Sequence, residues 1–244
     1  MDPRRNSHWL KEAIAPDEND CPSLGGDDSA DICIVGGGFT GLWTAIQLKQ
    51  QDSSLKVALI EKDVCGAGAS GRNGGFVLSW WAKFLSLEKI CGGEEAVRLA
   101  KASADSVDAI GEFCHQQGID AHYRRDGWLW AATGEQQIDS WDGTMNAVGR
   151  YQQYPFKRWQ PEEVSARSGS GKHLAGIFEP TAASVQPAEL ARGLRRVALE
   201  RGVRIFEHTP MTKLKDGAQP VIVTSHGTIR ANKVVLAINA WSIR

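Results

Sequence analysis

The hexapeptide Gly36-Gly37-Gly38-Phe39-Thr40-Gly41 stands between a short apolar run and an amphipathic one, and that placement constrains the fold more than any other feature of the chain. The run before it, Asp31-Ile32-Cys33-Ile34-Val35, predicts a buried strand stopped by glycine. After it, from about Thr40, Leu42, Ala45, Ile46 and Leu48 predict the apolar side of a helix. Lys56-Val57-Ala58-Leu59-Ile60 predicts a second buried strand, ending at Glu61. Strand, helix and strand within roughly thirty residues make the unit of a parallel, right-handed βαβ crossover.

Gly36, Gly38 and Gly41 match the spacing GxGxxG. The first glycine permits a tight turn, the second lets a pyrophosphate approach the backbone, and the third lets helix and strand pack closely. The helix N-terminus then offers unpaired N–H groups and the positive end of its dipole to phosphate. Glu61 comes about twenty residues later, where a carboxylate accepts hydrogen bonds from ribose hydroxyls. A second glycine-rich stretch, Ser70-Gly71-Arg72-Asn73-Gly74-Gly75, follows the second strand and therefore lies at the same carboxyl edge of the sheet.

Composition narrows the class. A chain of 244 residues with 42% hydrophobic and 23% charged residues is an ordinary globular chain, long enough for one large domain or two small ones. Lys plus Arg number 28 and Asp plus Glu 29, a balance without the basic surplus that a nucleic-acid binder needs. No apolar run approaches the ~20 residues of a membrane span, and no apolar stretch follows Arg4 and Arg5 as a signal peptide requires. The five cysteines have no CxxC pair, which predicts reduced thiols and a cytoplasmic protein, with no metal site. Cys33 and Cys114 sit in apolar patterns and read as small core residues.

Residues 1–29 are polar and read as an extended tail pinned by Trp9 and Leu10. Val97, Ala100, Ala104, Val107, Ile110 and Cys114 predict one long helix over 94–116. Trp128–Ala131 predicts a strand, and Ile138, Trp141, Met145 and Val148 predict a second helix over about 135–149. Pro187 opens a third at its favoured first position, with Leu190, Leu194 and Val197 as the buried stripe. Arg192, Arg195, Arg196 and Arg201 fit the solvated face of that helix. Short strands follow near 203–206, 211–214, 221–224 and 228–230, then Val234–Ile238, opening into Asn239-Ala240-Trp241. Gly171-Lys172-His173 fails the phosphate-loop pattern because Ala166 and His173 occupy required Gly and Ser/Thr positions. His115 and His122 have no metal-like partners in the sequence.

The layout predicts an α/β fold. A discontinuous Rossmann-like nucleotide-binding domain with a central parallel sheet is built from 30–89 and 180–244. Residues 90–179 form part of an inserted α+β substrate or cap domain. Three stretches, DICIVGGGFTGLWTA, LIEKDVCGAGASGRNGGF and TIRANKVVLAINAWS, together resemble the FAD-dependent amine and amino-acid oxidases of the D-amino-acid oxidase superfamily. Within that superfamily they resemble the gamma-glutamylputrescine oxidase group. The segment from Gln186 to Leu214 resembles the family's helix–strand element beside the adenine. The likeness spans about 30–244, specific at both ends and loose in the middle.

The resemblance implies FAD as cofactor. Gly36, Gly38, Thr40 and Gly41 would hold the pyrophosphate. Glu61 would hold the adenosine ribose, with Lys62 beside it. Ser70, Arg72, Asn73 and Gly74 would run towards the isoalloxazine. Met211 would meet the adenine by its backbone. Apart from the resemblance, the end strand opens into Asn239 at the sheet's carboxyl edge, where it would again face a phosphate. Some family members attach flavin through a histidine near the second loop; this loop has none, which implies non-covalent FAD. Gln186 stands where the gamma-glutamylputrescine oxidase pattern has His. Family members run on for nearly as much chain again, which implies an N-terminal portion with the catalytic groups further on. The implied reaction is oxidation of a C–N bond of a small amine or amino acid by hydride transfer to flavin N5, with reoxidation by molecular oxygen. An NAD(P)-dependent dehydrogenase and a non-enzymatic flavin-superfamily binding module are the alternatives the residues leave open.

Overall fold

The computed structural model describes residues 7–14 and 21–243, and the stretches 1–6 and 15–20 of the expected tail lie outside them. In chain order the helices and strands run α1 (His8–Ile14), β1 (Asp28–Val35), α2 (Phe39–Gln51), β2 (Val57–Ile60), β3 (Phe76–Val77), α3 (Phe84–Cys91), α4 (Gly93–Gln116), β4 (Trp128–Ala132) and α5 (Asp142–Gly149). They continue with β5 (Lys157–Trp159), α6 (Pro161–Ser168), β6 (Ala175–Glu179), β7 (Ala183–Ser184), α7 (Pro187–Glu200), β8 (Arg204–Phe206), β9 (Met211–Lys215), β10 (Val221–Thr224) and β11 (Thr228–Leu236). Two compact units result: Met1–Gly74 with Gln117–Ala121 and Gln186–Arg244, and Gly75–Gln116 with His122–Val185.

The first unit holds a six-stranded sheet in the order β8-β2-β1-β11-β10-β9. The first four strands pair in parallel, and β10 runs antiparallel to both its neighbours. All four residues of β2 are buried, as expected of a parallel strand covered on both faces. Cys33 and Val35 share one face with Ala58 and Ile60 in a cluster that also holds Ile222 and Ile229. The helix α2 packs on β1, β2 and α7. Because β2 and β11 flank β1 on opposite sides, the chain reverses direction across the sheet at β1, where an open α/β sheet leaves a crevice for ligand.

Several elements differ from the expectation. Residues 8–14 form a helix, not extended chain: Leu10 and Ala13 are buried in a cluster with Val64, Ala67 and Ala188, so the apolar face, not the polar composition, decides. The separate strands at 228–230 and 234–238 are one strand of nine residues, because β1 supplies a parallel partner from Asp28 to Val35. Of Arg192, Arg195, Arg196 and Arg201, the first two are not solvated: they are 6% and 3% exposed.

The second unit carries an antiparallel sheet in the order β4-β6-β5 and a short β3-β7 ribbon. Its core gathers Trp81, Phe84, Ala96, Ala100, Trp141, Val148 and Ile177. The long α4 is present as expected, but the helix read over 135–149 is broken. Asp139 has φ +62°, and the α-helix starts only at Asp142, leaving Ile138 exposed while Trp141 is buried. The short helices α3 and α6 were not read from the sequence.

Candidate cofactor site

The glycine turn after β1 is built by close contacts that a side chain would block. Gly36 has φ +111°, and a Cβ there would stand 2.5 Å from the carbonyl oxygen of Ala237. A Cβ on Gly41 would collide with the carbonyl oxygen of Gly36, so the first turn of α2 lies directly on the turn that precedes it. Gly38 is different: its backbone is ordinary (φ −86°, ψ −176°), and a Cβ would meet only Ser70 Oγ, at 2.9 Å. Gly38 therefore needs no special backbone; its missing side chain makes room for the Ser70 hydroxyl at the N-terminus of α2.

Ser70 belongs to the second glycine-rich loop, and its Oγ accepts from the N–H of Phe39 at 2.9 Å. The two loops singled out by sequence are thus joined. Among the described residues, the N–H groups of Gly38, Thr40 and Gly41 meet no acceptor. Three open donors at a helix N-terminus, beside a glycine without a Cβ, form a cradle for phosphate oxygens.

Glu61 ends β2 and faces this turn. Its Oε2 accepts from the N–H of Gly37 at 2.8 Å and its Oε1 from the N–H of Asp63 at 3.0 Å. Burial raises its pKa above the ordinary glutamate value, against those two N–H bonds. Each oxygen keeps a lone pair for a further donor, such as a ribose hydroxyl. Lys62 is exposed, with Nζ 3.8 Å from the ring centroid of Trp241. Since Lys62 follows β2 and Trp241 follows β11, this contact passes across the end of β1. Asn239, with φ +47°, begins the turn that carries Trp241.

The remaining expected residues have different engagements. Arg72 Nε donates to the carbonyl of Ala67 at 2.7 Å, and Asn73 Nδ2 to that of Ser70 at 2.9 Å, so both brace their own loop. Gly74 is exposed. Met211 opens β9, two residues after Thr209, whose N–H donates to the carbonyl of Glu61 at 2.8 Å. Its side chain packs on the cluster holding Ala58 and Ile60.

Gln186 is engaged by the fold. Its Oε1 accepts from the N–H groups of Ala188 and Glu189 at 2.7 and 2.9 Å, capping α7, and its Nε2 donates to the carbonyl of Trp9 at 2.9 Å. Sequence reasoning missed a second set of residues behind the glycine turn. Glu207 is completely buried, paired with Arg192 and Arg195, and it holds Cys65. The available signal was a lone acid just past β8 and two arginines three apart on the helix before it. Among the described residues, no group of three His, Cys, Asp or Glu side chains is placed to hold a metal, and no helix is long and apolar enough to cross a membrane.

A parallel sheet with its switch point at β1, a glycine turn opening a helix, and an acid at the end of the next strand define a dinucleotide-binding α/β unit. The chain belongs to the DAO family, described as FAD dependent oxidoreductase, whose profile matches residues 31–244. FAD is accordingly its cofactor, and the open cradle fits a pyrophosphate. Over 234 residues the chain is 31% identical to the probable oxidoreductase OrdL of Rhizobium meliloti, covering 94% of this chain and 54% of that protein. Over 214 residues it is 27% identical to the gamma-glutamylputrescine oxidoreductase of Escherichia coli, covering 87% and 50%. The chain spans about half the length of the curated relatives it matches. Among solved structures, L-amino acid deaminase from Proteus vulgaris superposes with TM-score 0.73 at 21% identity over 92% of this chain and 50% of that one. Glycine oxidase from Geobacillus kaustophilus does so with TM-score 0.68 at 23% identity, over 89% and 57%. These two likenesses show a shared fold.

Proposed function

We infer that the chain provides the FAD-binding half of an oxidoreductase acting on a C–N bond of a small amine or amino acid. The observation that carries the cofactor half is the cradle: open N–H groups at Gly38, Thr40 and Gly41, with Glu61 locked against Gly37. In this reading those N–H groups hold the pyrophosphate, and Glu61 receives the adenosine ribose. Lys62, Met211 and Asn239 border the nucleotide. Ser70, Arg72, Asn73 and Gly74 carry the backbone onward beside the flavin. The loop from Asp63 to Phe76 contains no histidine, which supports non-covalent binding. When bound, FAD supplies the acceptor for a hydride and passes the electrons on to oxygen. The substrate class rests on the relatives, which include a gamma-glutamylputrescine oxidoreductase and glycine oxidases.

The test separates cofactor from substrate. Purified protein reconstituted with FAD is expected to show the visible flavin band after desalting, and Gly38→Val to lose it while keeping its far-UV dichroism. Reduction of the flavin band under anaerobic conditions by a panel of primary amines, secondary amines and amino acids reads the substrate. A protein that retains NAD(P) but no flavin would overturn the reading.

A further inference from the structure

We propose that Glu207 is a positioning residue for the cofactor cradle, acting through Cys65 on the Gly37 turn. This rests on the reading that the cradle takes FAD. Glu207 lies at the end of β8 with no exposed surface. Its Oε1 accepts from Arg192 Nη1 at 3.1 Å, from Arg195 Nε at 3.0 Å and from the N–H of Cys65 at 2.8 Å. Its Oε2 accepts from Arg195 Nη2 at 3.2 Å and from the N–H of Cys21 at 3.3 Å. One carboxylate therefore joins α7, the segment before β1 and the loop after β2.

That loop is what the glycine turn rests on. A Cβ on Gly37 would stand 2.6 Å from Cys65 Sγ, so the sulfur lies against the turn. The N–H of Gly66 donates to the carbonyl of Gly37 at 2.9 Å. Gly66 is in turn pressed on α7, where its Cβ would stand 2.9 Å from Ala191 Cβ. The peptide units flanking Gly37 are thus held on two sides: Glu61 takes its N–H, and Gly66 gives an N–H to its carbonyl. Glu207 fixes the second of these by holding Cys65, the neighbour of Gly66. Phosphate binding by backbone N–H groups depends on their convergence, and convergence needs a rigid turn. A buried ion pair is a poor source of net stability against an apolar replacement, but it fixes direction and register where several segments meet.

The experiment compares Glu207→Gln and Cys65→Ala with the unaltered protein. FAD dissociation is read by quenching of tryptophan emission, bound flavin by its visible dichroism, and folding by thermal unfolding without cofactor. Cys65→Ala keeps the ion pair and the backbone N–H but removes the sulfur from under Gly37. The expected result is a ten-fold or greater loss of FAD affinity in Glu207→Gln and a three- to ten-fold loss in Cys65→Ala. The visible dichroism of whatever flavin binds should also change. Should Glu207→Gln fail to fold, Glu207→Asp, which keeps the charge but draws it back from the Cys65 N–H, takes its place. Affinity within two-fold of the unaltered protein in every folded variant overturns the proposal. Gly38→Val separates the two readings: if it abolishes FAD binding while the others do not, only the role of Glu207 falls; if it leaves binding intact, the cradle itself is misplaced.

Discussion

The carboxylate of Glu61 accepts the N–H of Gly37 at 2.8 Å, so the acid that ends β2 also restrains the turn that ends β1. A ribose contact alone would make Glu61 a ligand group and nothing more. Here its removal frees the turn as well. Glu61→Ala is expected to weaken FAD binding by about 1.5–3 kcal/mol, the scale of hydrogen bonds to a charged group. Glu61→Gln should not rescue it, because its NH2 must face the N–H of either Gly37 or Asp63. Titration of FAD into both variants checks this, and full affinity in Glu61→Gln would show that the charge and both acceptors are dispensable.

The same residue sets a pH dependence. Burial raises the Glu61 pKa in the cofactor-free protein. Binding to ribose hydroxyls uses the ionised form, so FAD affinity is expected to fall as pH falls through that raised value. The onset should lie above the ordinary carboxylate range of about 4.3. Glu61→Ala should flatten the profile. An unaltered slope in that variant would assign the dependence to another group.

The three glycines of the fingerprint should fail in different ways. Gly41→Ala forces a Cβ into the Gly36 carbonyl, and Gly36→Ala places one at φ +111° against Ala237. Both should lower the unfolding free energy of the cofactor-free protein by about 1–3 kcal/mol or more. Gly38→Ala has a relaxed backbone and displaces only the Ser70 hydroxyl that holds the Phe39 N–H, so stability should fall less than at Gly36 or Gly41 while FAD affinity drops. Thermal unfolding beside FAD titration separates the two classes. Equal destabilisation at Gly38 would mean that the turn, not the ligand, requires glycine there.

The legibility of this chain follows the range of the interactions. The βαβ opening was readable because its strands are short apolar runs and its glycines mark a turn with one purpose. The link from Ser70 to the N-terminus of α2 could be placed at the same sheet edge but not drawn. The break at Asp139 was invisible because Ile138, Trp141, Met145 and Val148 keep helical spacing across it. The arginines of α7 were misread because periodicity cannot distinguish a charge facing water from one facing a buried acid. Arg192 and Arg195 meet Glu207 only once β8 has been laid beside β2, a pairing between residues 58–60 and 204–206. The helix at 8–14 was hidden by its brevity, and it docks only because Ala188 and Val64 are brought to it.

Glu207 should govern part of the acid limb of stability. Burial by itself would raise its pKa, but the Cys65 N–H and the Arg195 and Arg192 guanidinium groups hold it below the ordinary glutamate value. The unfolded chain then binds the proton more tightly than the folded one between those two values. Stability is fully present above the ordinary glutamate pKa, about 4.3, and falls as pH drops through the folded value. Urea unfolding at a series of pH values should show this loss, and Glu207→Gln should be less stable at neutral pH with a shallower acid limb. A variant with an unchanged acid limb would remove Glu207 from the account.

The thiols offer a check on the core that needs no cofactor. Of the five cysteines, Cys21, Cys33, Cys65 and Cys114 are buried and only Cys91 is exposed. Burial pushes the Cys33 thiol up to about 12, with Arg204 opposing weakly, and raises the Cys65 thiol as well. Reaction with a disulfide reagent requires both access and thiolate, and the core cysteines lack both at neutral pH. One thiol should react rapidly in the native protein and all five after denaturation. Cys91→Ser should abolish the fast phase. Cys21 and Cys65 should become reactive in Glu207→Gln before Cys33 and Cys114, because their backbone N–H groups lose the carboxylate that holds them at 3.3 and 2.8 Å. Rapid reaction of Cys65 in the unaltered protein would show that the loop beneath Gly37 opens on its own, which a rigid cradle does not permit.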